Sequence, residues 1–331
     1  MREPAFWWRE PGLAARLLAP LGALYGAVAA RRMRQPGRRA GAMVVCIGNL
    51  TVGGAGKTPT AIAIGKLLRE AGATPAFLTR GYGGRLAGPV VVAPTHGAAE
   101  VGDEPLLLAR VAPTVVARDR VTGAAAAIAA GVDAIVMDDG FQNPALDKDL
   151  SVLVLDGRRG VGNGRVLPAG PLRAPLAAQL ARAQVLLVVG DAWSSAREVV
   201  AAAQARGLLL MTGRLAPDPA ALAALKGARV LAFAGIADPE KFFATLRDAG
   251  IAVTATRRFA DHHRFSANEA AALIAEAESA RLTLVTTEKD LARMTGDPAL
   301  ATLAARSKAL PVTLALDGAE AVRDLLQTLA V

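Results

Sequence analysis

The chain has 331 residues, of which 53% are hydrophobic and 20% charged, and its formal net charge is +9. This composition indicates a globular protein with a large core, and a length of this size favours two domains. The single cysteine, Cys46, excludes an internal disulfide and a cysteine zinc cluster and fits a reducing cytoplasm. The basic surface suits a polyanionic partner, which could be nucleic acid, an anionic membrane or a phosphorylated substrate.

Residues 1–39 differ from the rest of the chain. Phe6-Trp7-Trp8 precedes a nearly apolar stretch, Leu13 to Ala30, in which large aliphatic residues recur at helical spacing. A cluster of arginines follows it: Arg31, Arg32, Arg34, Arg38 and Arg39. An apolar helix with a basic end predicts a segment that lies in an anionic leaflet from the cytoplasmic side. Arg16 and Pro20 argue against a full span. A packing or partner helix and a secretory signal are the alternatives.

A glycine-rich loop follows the first apolar strand. It reads Gly48-Asn49-Leu50-Thr51-Val52-Gly53-Gly54-Ala55-Gly56-Lys57-Thr58, and a helical pattern begins directly after it. Strand, glycine loop and Lys-Thr at a helix start are typical of a phosphate-binding loop. The strict pattern would require glycine at Thr51, and a glycine-rich turn that only packs is the alternative. We predict nucleotide contacts from Thr51, Val52, Gly53, Gly54, Ala55, Gly56, Lys57 and Thr58.

From the loop onwards the chain alternates between strands and helices. The predicted strands are Met43–Ile47, Pro75–Thr79, Val90–Ala93, Thr114–Ala117, Ala134–Met137, Ser151–Leu155 and Gln184–Val189, and the predicted helices are Thr60–Ala71, Glu104–Val111 and Arg120–Ala130. Buried strands that alternate with helices predict an α/β fold with a doubly wound, mostly parallel sheet of the P-loop NTPase type.

A shorter αβ series follows. It comprises strand Val230–Ala234, helix Pro239–Ala249, strand Ile251–Ala255, helix Ala267–Ser279 and strand Leu282–Thr286. Leu208–Leu215 and Pro311–Leu316 could pair as a hinge ribbon, and Ala319–Leu329 is predicted to be helical. We therefore divide the chain into an N-terminal segment (1–39), a P-loop domain (40–212) and a smaller α/β domain (213–331), whose last helix could pack on the P-loop domain.

Two aspartates end the apolar strand that begins at Ala134. A carboxylate on the strand beside a phosphate loop usually holds Mg²⁺ or its water. Asp138 is the first candidate and Asp139 the second, and Thr58 would supply a further metal ligand. A strand-end aspartate that only caps the chain is the alternative.

Two further motifs contain groups that could transfer a proton. Asp103 and Glu104 precede a helix, where they could be caps or could accept a hydroxyl proton. Asp261-His262-His263 contains two of the three histidines of the chain. Adjacent side chains point in different directions, so one of these histidines is expected to enter a site, although such turns are often only surface features.

Several arginines follow predicted strand ends, where ligands of open α/β sheets bind. An arginine there can bind a phosphate with two parallel hydrogen bonds. The resulting candidates for substrate binding, together with neighbouring polar residues, are Asn49, Arg80, Tyr82, Arg118, Arg120 and Arg173.

Taken together, these motifs closely resemble the tetraacyldisaccharide 4'-kinase family, the lipid A 4'-kinases of Gram-negative bacteria. The resemblance runs from about Trp7 to Asp290. Besides the loop, it rests on Thr79-Arg80-Gly81-Tyr82-Gly83, Gly102-Asp103-Glu104-Pro105, Asp138-Asp139-Gly140-Phe141-Gln142, Leu167-Pro168-Ala169-Gly170-Pro171-Leu172-Arg173, Phe259-Ala260-Asp261-His262-His263 and Thr287-Glu288-Lys289-Asp290.

The resemblance implies a monotopic enzyme on the cytoplasmic face of the inner membrane. Such an enzyme uses ATP and Mg²⁺ to phosphorylate the 4'-hydroxyl of a tetraacylated, 1-phosphorylated glucosamine disaccharide. Its partners would be this lipid A precursor and the anionic membrane surface, with no nucleic acid, and we expect a monomer. The matching positions make Asp103 the catalytic base, working with His262, while Asp138 and Asp139 belong to the metal shell.

Two other classes of function fit parts of the sequence. A membrane- or DNA-associated ATPase of the partitioning type has a loop that reads K-G-G-x-G-K-[ST], but Val52 occupies the position of its lysine. A non-enzymatic adaptor would use the N-terminal segment to dock a partner. The Asp-Glu-Pro and Asp-His-His motifs favour the kinase over both.

Overall fold

The structure, a computed structural model, describes residues 3–330. Residues 1, 2 and 331, which belong to the predicted first and last segments, lie outside it. The strands are β1 (Met43–Asn49), β2 (Pro75–Thr79), β3 (Val90–Val91), β4 (Thr114–Val116), β5 (Ala134–Asp138), β6 (Leu150–Asp156), β7 (Val185–Val189), β8 (Leu209–Pro217), β9 (Arg229–Ala234), β10 (Ala252–Arg258), β11 (Thr283–Thr287), β12 (Ser307–Leu310) and β13 (Val312–Leu316).

The α-helices connect these strands and cover the sheets. They are α1 (Leu13–Leu17), α2 (Ala19–Met33), α3 (Lys57–Glu70), α4 (Ala98–Val101), α5 (Asp103–Leu108), α6 (Arg120–Ala129), α7 (Leu176–Leu180), α8 (Ser194–Gln204), α9 (Pro219–Ala223), α10 (Pro239–Asp248), α11 (Ala267–Ala280), α12 (Glu288–Met294), α13 (Ala301–Arg306) and α14 (Ala319–Ala330). Short 3₁₀ turns occur at Ala5–Trp8 and Pro298–Leu300.

The larger unit is built on a sheet in the order β13-β8-β7-β6-β1-β5-β2-β4-β3. Its inner strands pair in parallel, while β3 and β13 add antiparallel edges. Successive residues of β1 face opposite sides of the sheet, so Val44 and Cys46 join one core cluster and Val45 and Ile47 join the other. Both faces are therefore buried, which explains the continuous apolar runs of these strands.

The smaller unit is a parallel sheet in the order β10-β9-β11-β12. The chain enters it through β8 and returns through β13, and these two strands pair antiparallel with Leu316 opposite Gly213. The predicted pairing of these two segments is therefore confirmed, while their role as a hinge stays a prediction. Helix α14 then packs on α3 of the larger unit. The division at residues 212 and 213 stays a prediction, because β8 runs across it and β13 returns to the larger sheet.

The N-terminal segment forms two helices rather than the single predicted one. The first ends at Leu17 and the second begins at Ala19, next to Pro20, whose missing N–H and fixed φ suit a helix start and interrupt a helix interior. Gly22 and Gly26 of α2 face the body, where an added Cβ would lie 2.8 Å from the Val166 carbonyl oxygen and 3.3 Å from Pro175 Cγ, respectively. Small residues thus let this helix approach the body closely.

The opposite face of these helices carries large apolar side chains that point away from the body. Their exposed members are Leu13, Leu17, Leu21, Leu24, Tyr25 and Val28. The five arginines after the apolar stretch are exposed as well. Within residues 3–330, none of the helices combines the length and the apolar character needed to cross a bilayer.

Most predicted elements exist, with shifted ends. The helix predicted from Thr60 begins at Lys57. Gly56 ends the loop in a left-handed conformation and is the N-cap residue, so the helix starts three residues earlier than predicted. The strand predicted over Val90–Ala93 is only two residues long and lies at a sheet edge. Helix α12 and strand β12 were not predicted, because neither short segment carries a clear periodic pattern.

Candidate active site

The glycine-rich loop joins β1 to α3 at the carboxyl edge of the larger sheet. Gly53 has φ +102° and Gly56 has φ +90°, conformations that favour glycine, and Gly56 caps helix α3. Asn49 is fully buried, and its Nδ2 donates to the Gly53 carbonyl oxygen at 3.1 Å. Lys57 Nζ donates to the same oxygen at 3.3 Å. The loop therefore presents the N-terminus of a fourteen-residue helix together with a lysine, which is a suitable arrangement for binding phosphate.

Thr58 and Asp138 meet at the point where β1 and β5 run side by side. The Thr58 hydroxyl donates to Asp138 Oδ2 at 3.0 Å, and both residues are buried. Asp138 Oδ1 is buried and has no hydrogen-bond partner among residues 3–330. A hydroxyl and a carboxylate with a free oxygen are the hard ligands that Mg²⁺ uses when phosphates and waters complete its shell, so these residues fit the ion.

Burial, assisted by the charge of Glu104, raises the pKa of Asp138 to about 7. A divalent cation would favour the ionised form of the carboxylate.

Asp139 is held by two cations. Arg173 donates to it through both terminal nitrogens, at 2.7 and 3.1 Å, and Lys57 Nζ lies 3.7 Å from Oδ2. Burial opposes its ionisation, but the Lys57 and Arg173 charges outweigh it and lower the pKa of Asp139. Asp139 has φ 56°, a left-handed conformation that costs energy outside glycine and is often found at functional sites. In this structure Asp139 orders Lys57 and Arg173, while its metal role stays a prediction.

Asp103 and His262 come together across the two units. Asp103 begins α5 of the larger unit, and His262 lies in the loop after β10 of the smaller one. His262 Nδ1 is 3.3 Å from Asp103 Oδ2, and the two side chains are 30% and 4% exposed, respectively. His262 also has a left-handed φ, of 55°. The edge-to-face ring of Tyr82, with a centroid separation of 5.1 Å, packs beside it.

The pKa values of this pair shift in opposite directions. Burial disfavours the Asp103 carboxylate, but the hydrogen bond with His262 and the charges of Arg293 and Lys289 outweigh it and lower the pKa of Asp103. The hydrogen bond with Asp103, opposed by burial, raises the pKa of His262. The arrangement therefore keeps an ionised carboxylate behind a more exposed imidazole.

The neighbouring His263 is engaged elsewhere. Its Nε2 lies 3.0 Å from Glu269 Oε1, and its ring stacks on Phe259 with a centroid separation of 4.9 Å. Only one histidine of the pair thus enters the cross-unit site.

The predicted substrate-binding residues fall into three groups. Arg80, Tyr82 and Arg118 are exposed at the carboxyl edge of the larger sheet. Arg173 is committed to Asp139 and to the Thr51 carbonyl oxygen, which its Nε contacts at 3.0 Å. Asn49 and Arg120 are buried: Asn49 braces the loop, and Arg120 donates to the Ala117 carbonyl oxygen. Substrate contact by any of the six stays a prediction.

Some residues that support the loop were not predicted as site residues, although Gln142 belongs to one of the motifs that carry the resemblance. Gln179 is fully buried and donates to the Leu50 carbonyl oxygen at 3.1 Å, while Gln142 donates to that of Asn49 at 2.9 Å, so both support the loop from behind. Glu3, paired with Arg159, lies beside Gly53, where an added Cβ would meet its carboxylate. These contacts join distant segments, which local patterns do not report.

A glycine-rich loop at the start of α3, the Thr58–Asp138 contact beside it, and the contact between Asp103 of the larger unit and His262 of the smaller one form an arrangement that is typical of P-loop phosphotransferases. Residues 14–330 match the family model described as tetraacyldisaccharide-1-P 4'-kinase. The chain belongs to this family. The partitioning-type ATPase is not favoured.

Individual relatives agree with this assignment. The chain is 61% identical over 318 residues to a tetraacyldisaccharide 4'-kinase of Methylobacterium sp. (strain 4-46), covering 96% of both chains. It is 58% identical over 327 residues to that of Rhodopseudomonas palustris (strain BisB18), covering 98% of this chain and 95% of the relative. A crystal structure of LpxK from Aquifex aeolicus, described as an "apo" form in complex with ATP, superposes with a TM-score of 0.74. It is 24% identical, covers 96% of this chain and all of its own, and supports the fold.

Proposed function

We propose that this protein transfers the γ-phosphate of ATP to the 4'-hydroxyl of a tetraacylated glucosamine disaccharide 1-phosphate, a lipid A precursor. Family membership supports the reaction and the substrate class. The observation that carries the mechanism is the contact between Asp103 of the larger unit and His262 of the smaller one. Phosphoryl transfer depends on positioning and charge neutralisation, and this site supplies both.

The nucleotide side of the reaction is assigned to the loop. Residues 51–58 would surround the β- and γ-phosphates with backbone N–H groups, and Lys57 would leave its contact with the Gly53 carbonyl oxygen to bind them. Thr58 and Asp138 would hold Mg²⁺, which supplies charge neutralisation on the transferring group. Asp139 keeps Lys57 and Arg173 at the same edge of the loop.

The acceptor side is assigned to Asp103 and His262. The ionised Asp103 would draw the proton from the sugar hydroxyl together with His262, and a weak base suffices because the hydroxyl loses its proton late in a loose transition state. His262 is the more exposed partner, so it offers the proton a route to solvent. Because the two residues belong to different units, the pair exists only when the units are together.

The N-terminal helices are assigned to the membrane. Their apolar face and the arginines at residues 31–39 point away from the body, as expected of a peripheral segment on an anionic inner-membrane surface. A four-chain lipid stays in the bilayer because each buried CH₂ contributes roughly 0.8 kcal/mol, so the enzyme must come to its substrate. We further propose that the protein acts there as a monomer.

The direct test supplies purified protein with ATP, Mg²⁺ and the lipid disaccharide in mixed micelles, and detects the product by mass spectrometry. We expect a product with one added phosphate at the 4' position. Asp103→Asn and His262→Ala should each lower kcat by about 10²-fold or more, while the affinity for an ATP analogue stays near that of the wild type. ATP hydrolysis that is indifferent to the lipid would contradict the proposal, as would near-normal kcat in both variants.

A further inference from the structure

Two cationic side chains of helix α12 contact the larger unit. Lys289 and Arg293 lie one turn apart on this helix and face the acidic pair at the start of α5. Lys289 Nζ donates to Glu104 Oε1 at 2.6 Å, and Arg293 Nε donates to Asp103 Oδ2 at 2.8 Å. Arg293 Nη2 lies 2.6 Å from the same oxygen, and these two side chains are 6% and 4% exposed. A desolvated ion pair thus joins the two units at the candidate base.

The Arg293 guanidinium is itself fixed within the smaller unit. Its Nη1 donates to the Gly235 carbonyl oxygen and to Asp290 Oδ1, both at 2.7 Å. Asp290 is fully buried and accepts hydrogen bonds from the Gly235 N–H at 3.0 Å and from the Thr287 hydroxyl at 2.6 Å. The Thr-Glu-Lys-Asp motif at residues 287–290 therefore builds the support that aims Arg293 at the other unit.

The same support carries the histidine. The His262 backbone N–H donates to the Gly235 carbonyl oxygen at 3.0 Å, so His262 and Arg293 share one acceptor. Asp103 Oδ2 in turn receives both side chains, at 3.3 Å from His262 Nδ1 and 2.8 Å from Arg293 Nε. The closed ring Gly235–Arg293–Asp103–His262 fixes where the carboxylate of one unit meets the imidazole of the other.

We propose that Arg293 is a positioning residue for phosphoryl transfer, which sets the geometry between Asp103 and His262 when the two units are together. This inference rests on the proposed function, and in particular on the role of that pair. Arginine suits the task because its planar fork reaches three acceptors in fixed directions, which the single ammonium of lysine does not reproduce. A misplacement of about 1 Å in such a site can cost about 10²-fold in rate.

The charge of Arg293 has a second consequence for Asp103. The titratable and charged groups that face this carboxylate within residues 3–330 are Arg293, Lys289, His262, Glu104 and Asp290. Of these, Arg293 makes the closest cationic contact, and its charge helps to lower the pKa of Asp103 against the effect of burial. Loss of the charge should therefore shift the acid limb of the kcat profile to higher pH.

Other ion pairs between the units provide a matched control. Arg110 Nη1 lies 3.3 Å from Glu288 Oε1, but these side chains are 51% and 27% exposed. Neither residue is bonded to Asp103 or His262 in the part of the chain that the structure describes. Exposed pairs contribute little, so Arg110→Met removes a cross-unit cation without disturbing the site.

The experiment compares full-length wild type, Arg293→Met, Arg293→Lys and Arg110→Met with ATP, Mg²⁺ and the lipid disaccharide. We expect Arg293→Met to lower kcat by about 10²-fold, with KM for ATP changed less than about threefold, and added guanidinium ion to restore part of the rate. Arg293→Lys should leave the acid limb of the kcat–pH profile unchanged but lose most of kcat. Arg110→Met should resemble the wild type.

Three results would overturn the inference: a kcat of Arg293→Met within about threefold of the wild type, an equal loss in Arg110→Met, or full activity in Arg293→Lys. Arg293→Lys keeps the positive charge. If the thermal transition of Arg293→Met shows that this variant does not fold, the activity of Arg293→Lys tests the inference instead. Failure of the proposed function itself is distinguishable, because the wild type would then form no 4'-phosphorylated product.

Discussion

The exposed apolar face of the N-terminal helices allows a quantitative test of membrane binding. Leu17 and Leu24 are 71% and 66% exposed on this face, and both point away from the body. We consider the double variant Leu17→Gln, Leu24→Gln. Because surface substitutions usually change the free energy of unfolding by less than about 0.5 kcal/mol, the variant should remain folded.

The expected loss of binding follows from the exposed area. Full burial of a leucine side chain contributes about 1.5–3 kcal/mol, and about two-thirds of each side chain is available to lipid. Transfer of both side chains into the acyl region therefore contributes about 2–4 kcal/mol. That free energy corresponds to a roughly 30- to 1000-fold weaker partition into vesicles for the double variant.

The assay is co-sedimentation with vesicles that contain anionic phospholipid, at several lipid concentrations. Leu209→Gln is the matched control, because Leu209 is 43% exposed on β8 and lies outside the helices. The control should bind like the wild type. Partition of the folded double variant within about threefold of the wild type would refute the assignment of this face to the membrane.

Three further predictions concern the loop and the buried pair. Thr58→Val removes the hydroxyl that donates to Asp138, so the Mg²⁺ concentration for half-maximal turnover should rise about 10-fold or more. An unchanged Mg²⁺ titration would contradict a metal role for Thr58. Gly56→Ala places a Cβ at φ +90°, so it should lower the free energy of unfolding, measured in urea, by about 1–2 kcal/mol. Gly54→Ala is the control, because its Cβ would meet its nearest neighbour at 3.9 Å, and it should leave the free energy of unfolding unchanged. Equal losses in the two variants would reject backbone strain as the cause. Because the pKa of Asp103 is lowered in the folded state, its ionised form stabilises the fold above about pH 4. This contribution is lost as the pH falls towards the folded-state pKa. Asp103→Asn should therefore lose less stability than the wild type between about pH 4 and pH 2.

Local sequence determined the conformation of the glycine-rich loop and of the helix behind it. The glycines, Lys57 and Thr58 are adjacent in the chain, and their conformations follow from the backbone freedom of glycine and from the helix that starts behind them. Asp138 could be predicted as well, because a strand-end carboxylate in a parallel sheet lies at the same edge as the loop. The 3.0 Å contact between Thr58 and Asp138 confirms that the sheet brings these two together.

The tertiary structure alone decided how the motifs share partners. Arg173 was predicted to bind substrate, but the fold pairs it with Asp139. The attraction between the two charges offsets the cost of removing them from water. Asn49 was predicted to bind substrate, and in the structure it is fully buried and braces the loop. Neither of these contacts can be predicted from local sequence periodicity.

The cross-unit site shows the same division most clearly. From residue spacing alone, Asp103 could be a helix cap and His262 a surface residue. Only the family resemblance paired the two residues, and nothing in the sequence marked Arg293. The contact between Arg293 and Asp103 joins residues 190 positions apart, and it depends on the β8–β13 connection that sets one sheet against the other. Short-range chemistry fixes a loop or a helix cap through bonds to near neighbours. A buried ion pair between units forms only where packing excludes water from both partners, which is a property of the whole fold.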